Sequence, residues 1–220
     1  MSFDILLIIC DLKFSSIMEE KTARIISVIF HPLLMPTYAA LLLFNIPSHF
    51  NLSLPINYSY IVPAFVFTLT FVLSALIILG YLKMGFIKSL EMKDRKERIL
   101  PLITMAGIYY LTYYLLKQGP VPTLFNFFML GVTMLVLISL LVNYLEKISI
   151  HMVAIGGMFG TFLGLAIGFH YDLRFILFLL ALVAGLIGFA RLKLNAHNQA
   201  QVYTGFGLGV LVMLGLFLFV

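Results

Sequence analysis

The chain has 220 residues, of which 62% are hydrophobic and only 10% are charged, and its formal net charge is +5. Its mean hydropathy of +1.10 excludes an ordinary soluble domain of this length. The composition indicates a protein that lives in lipid, and no nucleic-acid partner is expected.

Long apolar runs fill the chain, and each approaches the roughly 20 residues that a helix needs to cross the hydrocarbon core. Only helices or a closed barrel satisfy the backbone in lipid, and the alternating pattern of a barrel strand is missing from these runs. The sequence therefore predicts an all-α, polytopic bundle of six to seven spans. The expected spans are 25–44, 60–82, 101–116, 123–145, 152–169, 175–190 and 202–220.

The N-terminal part is expected to be an extension over 1–24, possibly lying in the membrane interface, followed by a single transmembrane domain over 25–220. The apolar patch near Cys10 is too short for a secretory signal. Met18 is an alternative start. Because Cys10 is the single cysteine, no internal disulfide is expected.

The basic residues are distributed unevenly between the two faces that alternating spans define. One face carries twelve of the 14 Lys and Arg residues, and the other carries only Lys117 and Arg174. By the positive-inside rule the first face is cytoplasmic, in an inner or plasma membrane.

The first span contains His31-Pro32 and Pro36, which are expected to break its helix. A polar residue at this depth usually points into the bundle interior. We interpret His31 as a hydrogen-bonded core histidine, with a place beside a functional site as the alternative.

Three polar segments, 88–101, 147–151 and 191–201, are separated from one another by pairs of spans. Each pair returns the chain to the same face, so the three segments are expected to share one site. In the second segment, Ser149 precedes an apolar run and is expected to be an N-cap. His151 then falls in the first helical turn, where a histidine can act as a general acid.

A stripe of glycines follows in the fifth span. Its four-residue spacing predicts close approach of a neighbouring helix rather than a site. The stripe consists of Gly156, Gly160, Gly164 and Gly168.

The third segment places Arg191, His197 and Gln201 at fixed spacing beside the last span. If that helix begins near Asn195 as its N-cap, His197 and Gln201 lie on one face, and Gln201 can accept the Nδ1 proton of His197. Arg191 offers a planar fork of donors for phosphate oxygens, and the helix N-terminus adds free amides. The alternative is an interfacial arginine beside a histidine that only caps a helix.

These segments resemble the motifs of the type 2 phosphatidic acid phosphatase superfamily. The third segment is similar to the third motif of that superfamily. In it, Arg191 is followed after five residues by His197 and after three more by an orienting side chain, and Gln201 replaces the usual Asp. Ser149-Ile150-His151 is similar to the second motif, Pro-Ser-Gly-His, and keeps its Ser and His.

The first motif of that superfamily is Lys, six residues, Arg-Pro, and the match here is partial. Lys88 and Arg95 have this interval but no adjacent proline, whereas Lys93 and Arg98 have Pro101 nearby but another interval. We favour Arg98 and Lys93, followed by Arg95; the alternative is a charged loop without a role in a site.

The resemblance implies a metal-independent phosphatase without a cofactor that acts on a phosphorylated lipid, either phosphatidate-like or a polyprenyl diphosphate. It makes His197 the nucleophile that forms a phosphohistidine and His151 the acid that protonates the leaving oxygen. It assigns the phosphate oxygens to Arg191, Arg98, Lys93, Arg95 and Ser149. The surrounding membrane lipids are the other expected partners, and oligomeric state is left open.

Gln201 is the main departure from the superfamily pattern. An amide can fix the tautomer of His197 but lacks the charge that stabilises an imidazolium. The alternative function is therefore a weak or inactive homologue that binds or translocates a phosphorylated lipid. Membrane prenyltransferases, intramembrane proteases and secondary transporters fit worse, because paired aspartate motifs and related halves are missing from the sequence.

Overall fold

The computed structural model describes residues 18–45, 57–92 and 94–219, and every regular element in these ranges is helical. Seven helices are long and apolar enough to cross a membrane. The chain is therefore an all-α, polytopic integral membrane protein, which confirms the predicted fold class. The spans are Met18–Asn45, Tyr58–Lys83, Lys96–Lys117, Thr123–Leu145, Ile150–Gly168, Arg174–Lys193 and Gln199–Leu218.

The first two spans are each divided into two α-helices, and the other five contain one apiece. The first span consists of α1 (18–29), a 3₁₀ turn at Pro32–Leu34 and α2. The second consists of α3, a π-helical segment at Thr68–Leu73 and α4. The remaining bounds are α2 (Met35–Asn45), α3 (Tyr58–Phe67), α4 (Ser74–Lys83), α5 (Ile99–Lys117), α6 (Thr123–Leu145), α7 (Ile150–Gly168), α8 (Arg174–Lys193) and α9 (Gln199–Leu218).

The first span begins earlier than the apolar pattern indicates. Residues 18–24, assigned above to the N-terminal extension, continue the helix of the span towards its N-terminus. Glu19 in this extra length forms an ion pair with Lys193 at the end of α8. Residues 1–17, including Cys10, lie outside the described part of the chain.

The irregular parts of the first two spans lie next to each other. The hydroxyl of Thr70, in the π-helical segment, donates a hydrogen bond to the carbonyl of Leu33 over 3.3 Å. Pro32 supplies the break in the first span because its nitrogen carries no proton. This contact holds the broken first span against the second.

Helices α7 and α9 pack closely along the predicted glycine stripe. A Cβ atom at Gly156 would lie 2.3 Å from the carbonyl oxygen of Phe206, and one at Gly160 would lie 2.5 Å from that of Val210. In the opposite direction, a Cβ atom at Gly209 of α9 would lie 2.3 Å from the carbonyl oxygen of Val153 in α7. The expectation of close helix approach is confirmed over most of this stripe, where a Cβ atom would overlap α9. The exception is Gly168, where a Cβ atom would lie 3.4 Å from the carbonyl oxygen of Phe217.

The turns before α5, α7 and α9 meet at one end of the bundle. Arg98 donates to the carbonyl of Ile148 over 3.1 Å, and Lys147 donates to the carbonyl of Ala196 over 3.2 Å. These contacts join the three polar segments of the sequence, so the expected return to a common face is confirmed.

Candidate active site

The loop between α8 and α9 carries the central histidine. Asn195 has a φ of +49° and follows the end of α8. The N-cap of α9 is Asn198, whose side chain accepts a hydrogen bond from the backbone N–H of Gln201. The expectation that α9 begins near Asn195 is therefore wrong, because the left-handed turn at Asn195 delays the helix until Gln199.

His197 nevertheless contacts Gln201, because the capping box at the start of α9 folds the glutamine back. Oε1 of Gln201 lies 3.0 Å from Nδ1 of His197 and 3.4 Å from the backbone nitrogen of Asn198. A backbone N–H can only donate, so Oε1 is the acceptor in both contacts. Nδ1 of His197 therefore carries the proton, and Nε2 of the neutral ring keeps its lone pair.

The surroundings keep this imidazole neutral. His197 is 8% exposed. The pKa of His197 is lowered to about 4, mainly by burial and further by the charges of Arg98, Arg191 and Lys147, while the hydrogen bond that the ring donates to Gln201 partly opposes this effect. At neutral pH, His197 is thus an uncharged base next to three cations.

Arg191 lies at the end of α8, beside this ring. One Nη1 proton points to the hydroxyl of Ser27 in α1, 3.4 Å away. Its Nε is buried and has no acceptor among the described side chains and backbone groups. A buried guanidinium donor without an acceptor is costly, so this atom is suited to an anionic ligand. Glu91 lies within electrostatic range of Arg191.

Arg98 precedes α5 and is 7% exposed. Its Nε donates to the carbonyl of Met92 over 2.9 Å, and with the bond to Ile148 this fixes the plane of the guanidinium. Arg98 and Arg191 are close enough to interact electrostatically. Two positive charges that are held close enough to repel each other favour binding of an anion between them.

Arg95, another cation predicted from the first motif, lies at the end of α6. Arg95 donates to the carbonyls of Tyr144 and Leu145 over 3.3 and 2.9 Å, where it caps the C-terminus of α6. The structure therefore gives Arg95 a helix-capping contact. Lys93 lies outside the described residues.

The turn before α7 contributes a serine with an unused hydroxyl. Ser149 is completely buried and occupies the N-cap position, as predicted, but its side chain makes no capping hydrogen bond. Its backbone nitrogen instead donates to the carbonyl of Gln201 over 3.2 Å. Oγ of Ser149 has no hydrogen-bond partner in the described chain. It is a second buried polar atom that a bound ligand can satisfy.

His151, in the first turn of α7, has a neighbour that the motifs do not include. Its Nε2 lies 3.2 Å from the carbonyl oxygen of Ser27, and its ring centroid lies 5.6 Å from that of His31 at an interplanar angle of 78°. The ring paired with His151 is thus that of His31, while His197 lies within electrostatic range.

The structure therefore brings together Arg98, Ser149, His151, Arg191, His197 and Gln201 from the predicted set. It adds Ser27, His31 and Lys147. The sequence pattern left two interpretations of His31, a core histidine or a neighbour of a functional site. The second interpretation fits its contact with His151. Lys147 lies in the second polar segment, whereas Ser27 has no signal in the sequence. Within the ranges 18–45, 57–92 and 94–219, no three His, Cys, Asp or Glu side chains form a metal-binding group.

The fold and this cluster define a polytopic helical membrane protein with a cationic, histidine-containing site at one end of its bundle. No protein-family model, no curated protein and no solved structure matches the chain.

Proposed function

We propose that this chain is a membrane-embedded, metal-independent phosphatase that removes a terminal phosphate from a phosphorylated lipid through a phosphohistidine on His197. The observation that carries the proposal is the neutral His197 ring, oriented by Gln201 and surrounded by Arg98, Arg191 and Lys147. A neutral histidine among cations is suited to attack an anion that those cations bind and polarise.

The unsatisfied donors next to His197 support the same proposal. Oγ of Ser149 and Nε of Arg191 are buried without partners in the described residues. The negative oxygens of a phosphoryl group are strong acceptors that satisfy such donors. Phosphate binding therefore accounts for polar groups whose burial is otherwise unfavourable.

In the proposed first step, Nε2 of His197 attacks phosphorus and forms a P–N bond. The P–O bond to the lipid breaks, and His151, which takes up a proton as the phosphate group binds, gives this proton to the leaving oxygen. Arg98, Arg191 and Ser149 hold the nonbridging oxygens, where preorganised donors stabilise the developing charge.

In the second step, a water molecule attacks the phosphohistidine. Neutral His151 takes a proton from this water, the P–N bond breaks, and inorganic phosphate leaves. His151 releases this proton as phosphate leaves, and His197 regains its neutral form, so each turnover consumes one lipid phosphate ester or anhydride bond and one water.

The proposed substrate is a lipid because the cluster lies at the end of seven apolar helices. The head group of a phosphatidate-like lipid or a polyprenyl diphosphate reaches this depth while its chains stay in the hydrocarbon. The excess of Lys and Arg at this end supports a cytoplasmic orientation in an inner or plasma membrane.

The second candidate function is a protein that binds or translocates a phosphorylated lipid without hydrolysing it. Gln201 favours it, because an amide oxygen does not supply the negative charge that stabilises a histidine cation. Both candidates use the same cationic cluster, and they differ in whether the P–O bond breaks.

The test is release of inorganic phosphate from phosphatidic acid and from a polyprenyl diphosphate by purified protein in detergent. We expect release by the wild type, loss in His197→Ala, and retention in His170→Asn, which changes an exposed histidine at the opposite end of the bundle. Absence of release in all three, with phospholipid binding intact, supports the binding protein instead.

A further inference from the structure

The proposed mechanism uses His151 but leaves the neighbouring end of α1 without a role. This segment, residues 27–32, is referred to here as the α1 break. It contains Ser27, which contacts both His151 and Arg191, and His31, whose ring packs edge-to-face against that of His151.

In the α1 break, the carbonyl of Ser27 has no helical hydrogen-bond donor because of Pro32. In a continuing helix, the carbonyl of Val28 accepts from residue 32, but proline has no N–H. The N–H of His31 donates to Val28 instead, over 3.3 Å. The carbonyl of Ser27 thereby loses its helical donor and accepts from Nε2 of His151.

The neighbouring carbonyls of α1 are satisfied in other ways. Ile26 accepts from the N–H of Phe30 over 2.9 Å, and Ile29 accepts from the hydroxyl of Tyr38 over 2.9 Å. Ser27 is therefore the residue in this last turn whose carbonyl accepts a hydrogen bond from the site.

The contact with Ser27 fixes the tautomer of His151. A carbonyl oxygen only accepts, so Nε2 of His151 carries a proton, and Nδ1 is the atom that gains or loses one. The ring of His31 is held in turn, because its Nδ1 accepts from the N–H of Leu33 over 3.3 Å. The titratable and charged groups that interact with His151 from the surrounding elements are His31, Arg191 and His197.

We propose that Ser27 and His31 are positioning residues and that the α1 break holds His151 with Nδ1 as its proton-transfer atom. The reaction itself rests on the proposed function. In the first step, the Nδ1 proton of protonated His151 passes to the leaving oxygen as the P–O bond breaks. Throughout, Nε2–H stays hydrogen-bonded to the carbonyl of Ser27. In the second step, Nδ1 takes the proton of the attacking water.

The test combines two measurements on the full chain in detergent, with Pro32→Ala compared to Pro63→Ala. Both changes return a backbone N–H within a span, but Pro63 lies inside α3, away from the α1 break. The first measurement is the ¹⁵N shifts of the His151 ring, assigned with His151→Gln. The second is kcat and KM for phosphate release from short-chain phosphatidic acid.

In the resting protein, where the His151 ring is neutral, we expect the wild type to carry the ring proton on Nε2. We expect Pro32→Ala to produce a mixture of tautomers, because the N–H of His31 then competes for the carbonyl of Ser27. We expect kcat to fall roughly 10- to 100-fold at nearly constant KM in this variant. Pro63→Ala leaves both measurements unchanged. A wild-type ring protonated on Nδ1, or a Pro32→Ala variant that behaves like Pro63→Ala, overturns the proposal.

A second pair of variants keeps the test independent of the folding of Pro32→Ala. His31→Asn retains a side-chain acceptor for the N–H of Leu33 but removes the ring, so we expect normal folding with a mixed His151 tautomer. An unchanged tautomer in His31→Asn overturns the role of His31. If the wild type shows the Nε2–H tautomer but releases no phosphate, the positioning of His151 is upheld and the phosphatase function is rejected.

Discussion

Nδ1 of His197 donates a hydrogen bond to Oε1 of Gln201 over 3.0 Å. This bond orients the imidazole from a capping box rather than from a carboxylate. It fixes the tautomer, because the amide oxygen is already identified as an acceptor by the N–H of Asn198. It supplies no negative charge, so the rate of a reaction that leaves His197 positively charged is limited by this contact.

Replacing Gln201 by Glu is expected to speed the proposed reaction. Glutamate keeps the capping box and adds the charge that stabilises an imidazolium, so the pKa of His197 rises from its value of about 4. We expect kcat for phosphate release to increase about tenfold. Gln199→Glu, an exposed change in the first turn of the same helix, is the matched control. Equal effects of the two variants argue against a specific role for residue 201.

His197 is expected to stay neutral through mildly acidic pH. Its pKa of about 4 lies below the ordinary histidine value, mainly because the ring is buried. An NMR titration of the ring is expected to show no protonation between pH 7 and about pH 5. Gln201→Leu removes the favourable contact and moves the midpoint lower. A midpoint close to 6.5 contradicts the buried, cation-flanked position of His197.

The same pKa has a consequence for stability. Because the folded protein protonates His197 only near pH 4, the unfolded chain binds more protons between the ordinary histidine pKa and that value. The contribution of His197 to stability is therefore present at neutral pH and is lost as the pH falls through this window.

The spans were predictable because they follow from the length of the apolar runs. The shared face was predictable because an even number of spans separates the three polar segments. The contact between His197 and Gln201 was predictable from spacing. The helix start at Gln199 was not, because Asn195 and Asn198 are both suitable N-caps and the sequence does not choose between them. Ser27 was not predictable, since its carbonyl becomes available only through Pro32 and the packing of α1 against α7.

The cations of the first motif illustrate a further limit of sequence analysis. Arg95 and Arg98 are three residues apart in one charged stretch, so composition does not separate them. The structure directs Arg98 to Ile148 and Arg95 to the end of α6. Only the way this stretch packs against the end of α6 and the connection to α7 distinguishes the two roles.

Ser149→Ala is expected to weaken anion binding without weakening the fold. The hydroxyl has no partner in the described structure, so removing it costs the folded state no hydrogen bond. We expect the inhibition constant of inorganic phosphate to rise roughly five- to tenfold. Ser139→Ala is the contrasting control, because that buried hydroxyl donates to Leu135 over 2.7 Å. Lower stability with unchanged phosphate inhibition is the result expected for Ser139→Ala.

Gly209→Ala is expected to separate α7 from α9. The new Cβ atom meets the carbonyl oxygen of Val153 at 2.3 Å and the nitrogen of Gly157 at 2.5 Å, and backbone atoms cannot move aside cheaply. We expect the free energy of unfolding to drop by about 1–3 kcal/mol in a denaturant titration. Gly207→Ala in the same helix meets nothing within 4 Å and is expected to leave stability unchanged or slightly higher. A similar loss in both variants means that helix packing does not depend on the close approach at Gly209.

The account depends most on covalent catalysis by His197, and rapid quenching of the protein with lipid carrying a ³²P-labelled terminal phosphate tests it directly. We predict protein-bound label that is stable in base, labile in acid, located on His197 and missing in His197→Ala. Phosphate release without any labelled protein, or label that persists in His197→Ala, contradicts the phosphohistidine mechanism.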